Sequence, residues 1–254
     1  MKTITEPSRN IEIRKQADVL VAGGGIAGIA AAAAAARGGK RVTLVEREYG
    51  LGGMATLGLV TIYLPLDDGL GNQVVFGLGE ELLHLSMKHG AEANYPAAWL
   101  DGGTREERIE HRYIVQFNPH LFALEAERLL LDLGVDILYG TSLAGAATEN
   151  GRVAAVFLEN KSGRTAAEAA SYVDCTGDAD LFALAGADTA LHAGGNGLAS
   201  WYYYFSEGKV TLKMFGLADV VPEDGSGASG KADDGRDYDN NVKVESLGAL
   251  RFSG

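Results

Sequence analysis

The feature that most constrains this chain is a run of glycines at positions 23, 24, 25 and 28. It lies between an apolar segment, Val19–Ala22, and an alanine-rich helical segment, Ile26–Arg37. Gly38 and Gly39 end that helix, and a second apolar segment, Val42–Val45, runs into Glu46. Strand, G-x-G-x-x-G turn (Gly23, Gly25, Gly28), helix, strand and acid, in that order, describe a βαβ unit that grips a dinucleotide. Gly23 permits the sharp turn, Gly25 lets a pyrophosphate approach the backbone, and Gly28 lets the helix lie close to the sheet. The N–H groups at the helix start, those of Gly25, Ile26, Ala27 and Gly28, have no helical carbonyl behind them. With the helix dipole they can hold phosphates without a lysine. Glu46 falls where a carboxylate can accept hydrogen bonds from ribose hydroxyls, and it would repel a 2′-phosphate.

Spacing alone is weak, as the chain itself shows. Gly225, Gly227 and Gly230 repeat it. They lie between Pro222-Glu223-Asp224 and Lys231-Ala232-Asp233-Asp234, with no apolar strand before and no amphipathic helix after, and read as a loop. The formal net charge of −12 at pH 7 argues against nucleic acid or an anionic membrane as a partner. No apolar run reaches a membrane-spanning length. The first residues, Met1 to Pro7, lack the apolar core of a signal peptide. Residues 1–16 read as a polar leader in which Asn10 to Arg14 alternate as a short strand. Cys175 is the only cysteine. That excludes an intramolecular disulfide, a Cys-x-x-C redox pair and an iron–sulfur cluster ligated by this chain alone, and points to a reducing, cytoplasmic compartment.

Beyond Glu46 come Arg47, then Gly52-Gly53-Met54, then a glycine- and proline-bearing stretch over 57–79. An NAD-binding dehydrogenase would pass from the second strand to another helix. The extended pattern here, with Ala32, Gly39, Val42, Glu46 and the glycine pair, resembles the fingerprint of two-dinucleotide-binding-domain flavoproteins, which are FAD-dependent oxidoreductases. The resemblance implies FAD as cofactor. It places Arg47, Gly52, Gly53 and Met54 in a loop that runs beside the pyrophosphate toward the flavin, a plain surface turn being the alternative for the two glycines. Further on, Asp174-Cys175-Thr176-Gly177-Asp178-Ala179-Asp180 resembles the Asp-Ala-Thr-Gly-Asp-Gly-Asp segment of members that include the flavoprotein subunit of heterodisulfide reductase. This implies Thr176 and Gly177 beside the FAD, with Asp178 either there or capping the helix that follows. Cys175 stands where that family has a small residue, and reads as buried filler rather than a nucleophile.

Between these landmarks, a helix is expected from Gly79 to Gly90, with His84 and His89 as surface or packing residues. Residues 91–113 read as a solvated insertion, a substrate approach being the alternative. Asn118-Pro119 starts a helix that Gly134 closes, and Val135 to Tyr139 is a strand. Turns at Asn150-Gly151 and Lys161-Ser162-Gly163 then organise a three-stranded meander ahead of the next core strand. Trp201 to Phe205 is an aromatic strand candidate, after a loop at Gly194–Gly197.

The expected architecture is α/β. A Rossmann-like FAD-binding domain with a parallel central sheet covers residues 17–190 and carries a 57–115 insertion and a 141–173 β-meander. The start of a substrate-type domain follows over 191–254. Family members return to the first domain with another glycine-containing segment, and none is visible here. The chain is therefore expected to be incomplete at its C-terminus, or to have its flavin site completed by a second chain or electron-transfer partner. The implied function is transfer of a hydride or electrons between a small-molecule substrate and bound FAD. An NAD-dependent Rossmann dehydrogenase and a catalytically inactive FAD-binding fragment or subunit are the alternatives. His111, His120 and His192 have no partner that the sequence can place beside them, so no catalytic residue is assigned, and no metal-ligand spacing is present.

Overall fold

The computed structural model describes residues 2–5, 7–190, 198–206 and 208–218. The chain divides into one unit of Met1–Thr189 and another of Ala190–Gly254. His192, the Gly194–Gly197 loop and the repeat at Gly225, Gly227 and Gly230 lie outside the described residues.

The first unit opens with β1 (Ile13–Ala22), α1 (Ile26–Arg37) and β2 (Val42–Val45). Every residue of β2 is buried, as befits a parallel strand covered on both faces. In α1, Ile29, Ala32 and Ala33 are fully buried, and small side chains let the helix lie close to the sheet. The helix ends where the glycine pair predicts. Gly38 N–H donates to Ala34 O at 3.0 Å and Gly39 N–H to Ala36 O at 2.9 Å, with Gly39 at a φ of 75° that an L side chain rarely adopts.

Downstream come β5 (Asp136–Leu138), β6 (Ser142–Glu149), β7 (Arg152–Asn160) and β8 (Gly163–Asp174). They join β1 and β2 in one six-stranded sheet, ordered β5-β2-β1-β8-β7-β6. The β5, β2, β1 and β8 neighbours are parallel, while β8–β7 and β7–β6 are antiparallel. The β6–β7 turn uses Asn150 at φ 51° and Gly151 at φ 74°, the left-handed pair that Asn-Gly supplies.

Two expectations change. The third meander strand and the core strand beside β1 are one element: β8 is 12 residues long, pairs with β7 over Gly163–Ala167 and with β1 from Ala166 to Asp174. No glycine or proline falls between Gly163 and Gly177, so nothing breaks it. That length also recruits residues 13–16 of the presumed leader into β1, pairing Ile13 with Ala166 and Gln16 with Glu168 across a register shift.

Along β1 the side chains alternate between two cores. Val21 joins Ile29, Ala32, Leu44, Ala126 and Leu130. Leu20 and Ala22 join Val45, Val156, Leu158, Ala167 and Leu181. Helix α5 (Pro119–Asp132) closes the first core, and the Asn118 side chain accepts from the N–H groups of His120 and Leu121, both at 3.1 Å.

The insertion contains β3 (Ile62–Tyr63), α2 (Leu78–Ser86), α3 (Ala97–Leu100), α4 (Arg105–Glu110) and β4 (Val115–Gln116), with β3 and β4 antiparallel. Helices α3 and α4 bury no residue, but the stretch is not wholly solvated. Tyr113 is buried with Leu66, Leu83, Val115, Phe117 and Phe122 and stacks on Trp99 at 5.1 Å between ring centroids. The buried Asp67 carboxylate draws this segment in. It accepts from Tyr113 N–H and from Arg112 Nε, each at 2.7 Å.

No helix among the described residues is long and apolar enough to cross a membrane. In the second unit, β9 (Leu198–Ser206), which holds Trp201 to Phe205, pairs antiparallel with β10 (Lys209–Ala218).

A buried carboxylate fastens α5 to the loop after α2. Glu125 is 2% exposed and faces His89 Nε2 at 2.9 Å, Lys88 Nζ at 2.5 Å and Arg128 Nη1 at 2.6 Å. The hydrogen bonds from His89 and then Lys88 hold its carboxyl at about 2, below the ordinary 4.5. A folded-state value below the unfolded one gives stability that is present above the unfolded value and lost as pH falls toward the folded one. The urea midpoint of the wild-type protein should therefore drop between about pH 5 and about pH 2. Glu125→Gln should show a smaller drop over the same range, and an equal drop would contradict the clamp.

Candidate dinucleotide site

Because β1, β2 and β8 are parallel, their carboxyl ends emerge on one edge of the sheet, where ligands of open α/β sheets bind. The register sets Ala22 beside Val45 on one side and Asp174 on the other. The ladder continues one residue past the strands, with Gly23 N–H donating to Val45 O at 2.8 Å and Cys175 N–H to Ala22 O at 2.7 Å.

The three motif glycines answer to different constraints. Gly23 has a φ of 97°, and a Cβ there would stand 2.4 Å from Cys175 O. A Cβ on Gly28 would stand 1.8 Å from Gly23 O. These two are required by the protein's own backbone. Gly25 is not. Its φ of −67° and ψ of −177° are open to any residue, and among the described residues a Cβ there would meet no further atom within 4 Å. Gly25 forms an isolated parallel bridge with Gly52 that turns the Ile26 N–H toward Gly52 O, while among the described residues nothing accepts from the N–H groups of Gly25, Ala27 and Gly28. The helix start is thus a bare set of donors with open space in front of it.

Glu46 is 7% exposed and is already engaged by the backbone. Its Oε2 accepts from Gly24 N–H at 2.6 Å and its Oε1 from Glu48 N–H at 2.8 Å. The acid after β2 therefore ties down the glycine turn, while each oxygen keeps a second lone pair. The loop with Gly52 and Gly53 is no surface turn. Gly52 N–H donates to Gly24 O at 2.8 Å, a Cβ on Gly52 would stand 2.4 Å from the Thr56 side chain, and one on Gly53 would stand 3.2 Å from Gly25 Cα. Backbone lies on backbone there.

A cleft of about 410 Å³ opens at this edge, and Gly23, Glu46, Arg47 and Thr176 line it. The Thr176 side chain is fixed: its hydroxyl donates to Asp174 Oδ1 at 2.7 Å and accepts from Asp180 N–H at 2.9 Å. Gly177, at φ 91°, and Asp178 are exposed and lie outside the lining. Nor does Asp178 cap helix α6 (Asp180–Leu184), whose first-turn N–H groups go to Thr176 and Asp174. Met54 also lies outside the cleft and is 72% exposed.

Six lining residues escape sequence reasoning: Thr141, Ser142 and Leu143 at the start of β6, and Asp180, Ala183 and Leu184 on α6. The available signal is topological. Thr141 follows the strand next to β2, and its N–H donates to Glu46 O at 3.0 Å. Burial, with the nearby Asp174 adding to it, pushes the half-buried Cys175 thiol up, away from the reactive thiolate. His111 and His120 do not line the cleft.

The sequence pattern of the family described as FAD dependent oxidoreductase matches residues 18–248. This chain belongs to that family. FAD is accordingly its cofactor, and the open amides and the unfilled space before Gly25 fit the phosphates of such a group. Among curated proteins no sequence matches. Similar solved structures include a 3-ketosteroid-Δ4-(5α)-dehydrogenase from Rhodococcus jostii RHA1, at 21% identity and a TM-score of 0.42, with 64% of this chain and 46% of that one covered. A geranylgeranyl bacteriochlorophyll reductase-like protein from Thermoplasma acidophilum shares 19% identity, TM-score 0.48, over 70% of this chain and 44% of its own. THI4 from Thermovibrio ammonificans shares 18%, TM-score 0.46, over 68% and 64%. The chain thus spans about half to two thirds of the length of these proteins.

Replacing Glu46 by Gln sets an amide N–H₂ against Gly24 N–H or Glu48 N–H. The FAD-free protein should lose about 1–3 kcal/mol of stability, the cost of a buried donor left without an acceptor. Urea unfolding measures this, and an unchanged midpoint would remove the anchoring role.

Proposed function

We propose that the chain is an oxidoreductase that passes a hydride or an electron pair between a small-molecule substrate and its FAD. Gly25 carries the reading. Among the described residues nothing requires a glycine there, and a side chain would occupy the space in front of the open amides. Bound FAD would supply the redox chemistry, and the protein binding, orientation and electrostatic tuning. In this reading the amides of Gly25, Ala27 and Gly28 hold the pyrophosphate, with the α1 dipole adding to the attraction. The free lone pairs of Glu46 take the ribose hydroxyls, and the same carboxylate disfavours a 2′-phosphate. Arg47 and Thr176 flank that position across the cleft, and the Gly52–Gly53 loop, fastened to the glycine turn, leads away from it.

The visible spectrum of the purified protein separates this reading from its rivals. A yellow preparation that releases FAD on denaturation, and bleaches with a reductant, is expected. A colourless protein that binds NAD would be a dehydrogenase of the other class, and bound FAD that no donor or acceptor can reduce or reoxidise would mark an inactive module.

Gly25→Ser tests the site itself. Serine is a better helix N-cap than glycine by a few tenths of a kcal/mol, so the FAD-free variant should unfold at the wild-type urea concentration or slightly above it. FAD affinity should fall by about tenfold or more, equivalent to about 1.4 kcal/mol. Undiminished affinity would move the phosphates elsewhere.

A further inference from the structure

Asp174 does not line the cleft, yet three hydrogen bonds converge on it. Its Oδ1 accepts from Thr176 N–H at 3.0 Å and from the Thr176 hydroxyl at 2.7 Å, and its Oδ2 accepts from Phe182 N–H at 3.1 Å. The Thr176 hydroxyl in turn accepts from Asp180 N–H at 2.9 Å. Two N–H groups in the first turn of α6 are thereby tied, directly or through Thr176, to one carboxylate at the end of β8. Ala179, the residue before α6, has no capping side chain and sits at φ 59° and ψ 36°, so the helix has no local means of fixing its own start. Asp174 pairs with Ala22, the residue before the glycine turn, and its own position is set by the centre of the sheet.

We infer that Asp174 is a positioning residue for the cofactor. It fixes Thr176 and α6, and hence the wall formed by Asp180, Ala183 and Leu184, against the glycine turn and Glu46 on the other side. This rests on the reading of the cleft as the FAD site. The chemistry requires two acceptor oxygens. An asparagine keeps one, able to serve Thr176, and turns its N–H₂ toward Phe182 N–H, so that the direct hold on α6 is lost while the one that runs through Thr176 stays. A valine at 176 removes the hydroxyl relay, and a serine preserves it.

The test is FAD titration of the full chain, followed by flavin fluorescence, at a temperature where far-UV circular dichroism shows each variant fully folded. Under that condition a purely structural role leaves affinity unmoved. Asp174→Asn and Thr176→Val are each expected to weaken FAD binding about fivefold to tenfold, the scale of one lost hydrogen bond, and Thr176→Ser to restore it. If Asp174→Asn does not fold, the valine and serine pair at 176 decides. Wild-type affinity in the folded Asn and Val variants, or equal losses in Val and Ser, would overturn the role of Asp174. A wild-type chain that binds no FAD would instead overturn the reading of the cleft beneath it.

Discussion

The absence of two side chains lets helix α1 approach the ends of β1 and β8, and the rest of the site follows from that approach. With Gly28 against Gly23 O and Gly23 against Cys175 O, the helix start is pressed onto the middle of the sheet. The amides of Gly25, Ala27 and Gly28 then lie at the carboxyl ends of the strands with no acceptor among the described residues. Any Cβ at either position would push the helix away and redirect those donors. In the proposed reading the backbone geometry is the binding element, and side chains act mainly to hold it.

Glu46 and Asp174 do that holding from opposite sides of β1. Each follows or ends a strand that neighbours β1, and each uses both oxygens on backbone N–H groups, Glu46 on the glycine turn and Glu48, Asp174 on Thr176 and the first turn of α6. Such carboxylate-to-amide bonds are among the stronger ones available to a protein, and they convert loops that carry glycines into fixed walls. The Gly52–Gly53 loop adds a third brace by donating into the glycine turn itself.

The first crossover is legible in the sequence because its constraints are local: strand, turn, helix and acid sit within about thirty residues, and Gly23 and Gly28 each have a steric reason of their own. The Asn118-Pro119 helix start and the Asn150-Gly151 turn are legible for the same reason. What is not legible depends on contacts far apart in the chain. Nothing near Thr141 or Ala183 announces that they share a cleft with Glu46, since the sheet order brings them together. Glu46 shows the limit most clearly. Its position and residue type are readable, but its two backbone partners emerge only once Gly24 and Glu48 are folded around it. Tyr113 is misread for a related reason: the charges around it suggest solvent, whereas Asp67, distant in sequence, draws it inward.

The long strand β8 also governs the order in which the molecule can assemble. β1 borders it along nearly its whole length, although most of the unit's chain separates the two. Until the polypeptide has been made past Asp174, one edge of β1 offers its amides and carbonyls to any passing strand, and the loop closure needed to cover that edge is a long one. A nascent or cleaved chain that stops short of this point would hold the motif glycines and the acid yet lack the wall opposite them. In such a chain the sticky sheet edge, not the nucleotide, would be the first thing to find a partner.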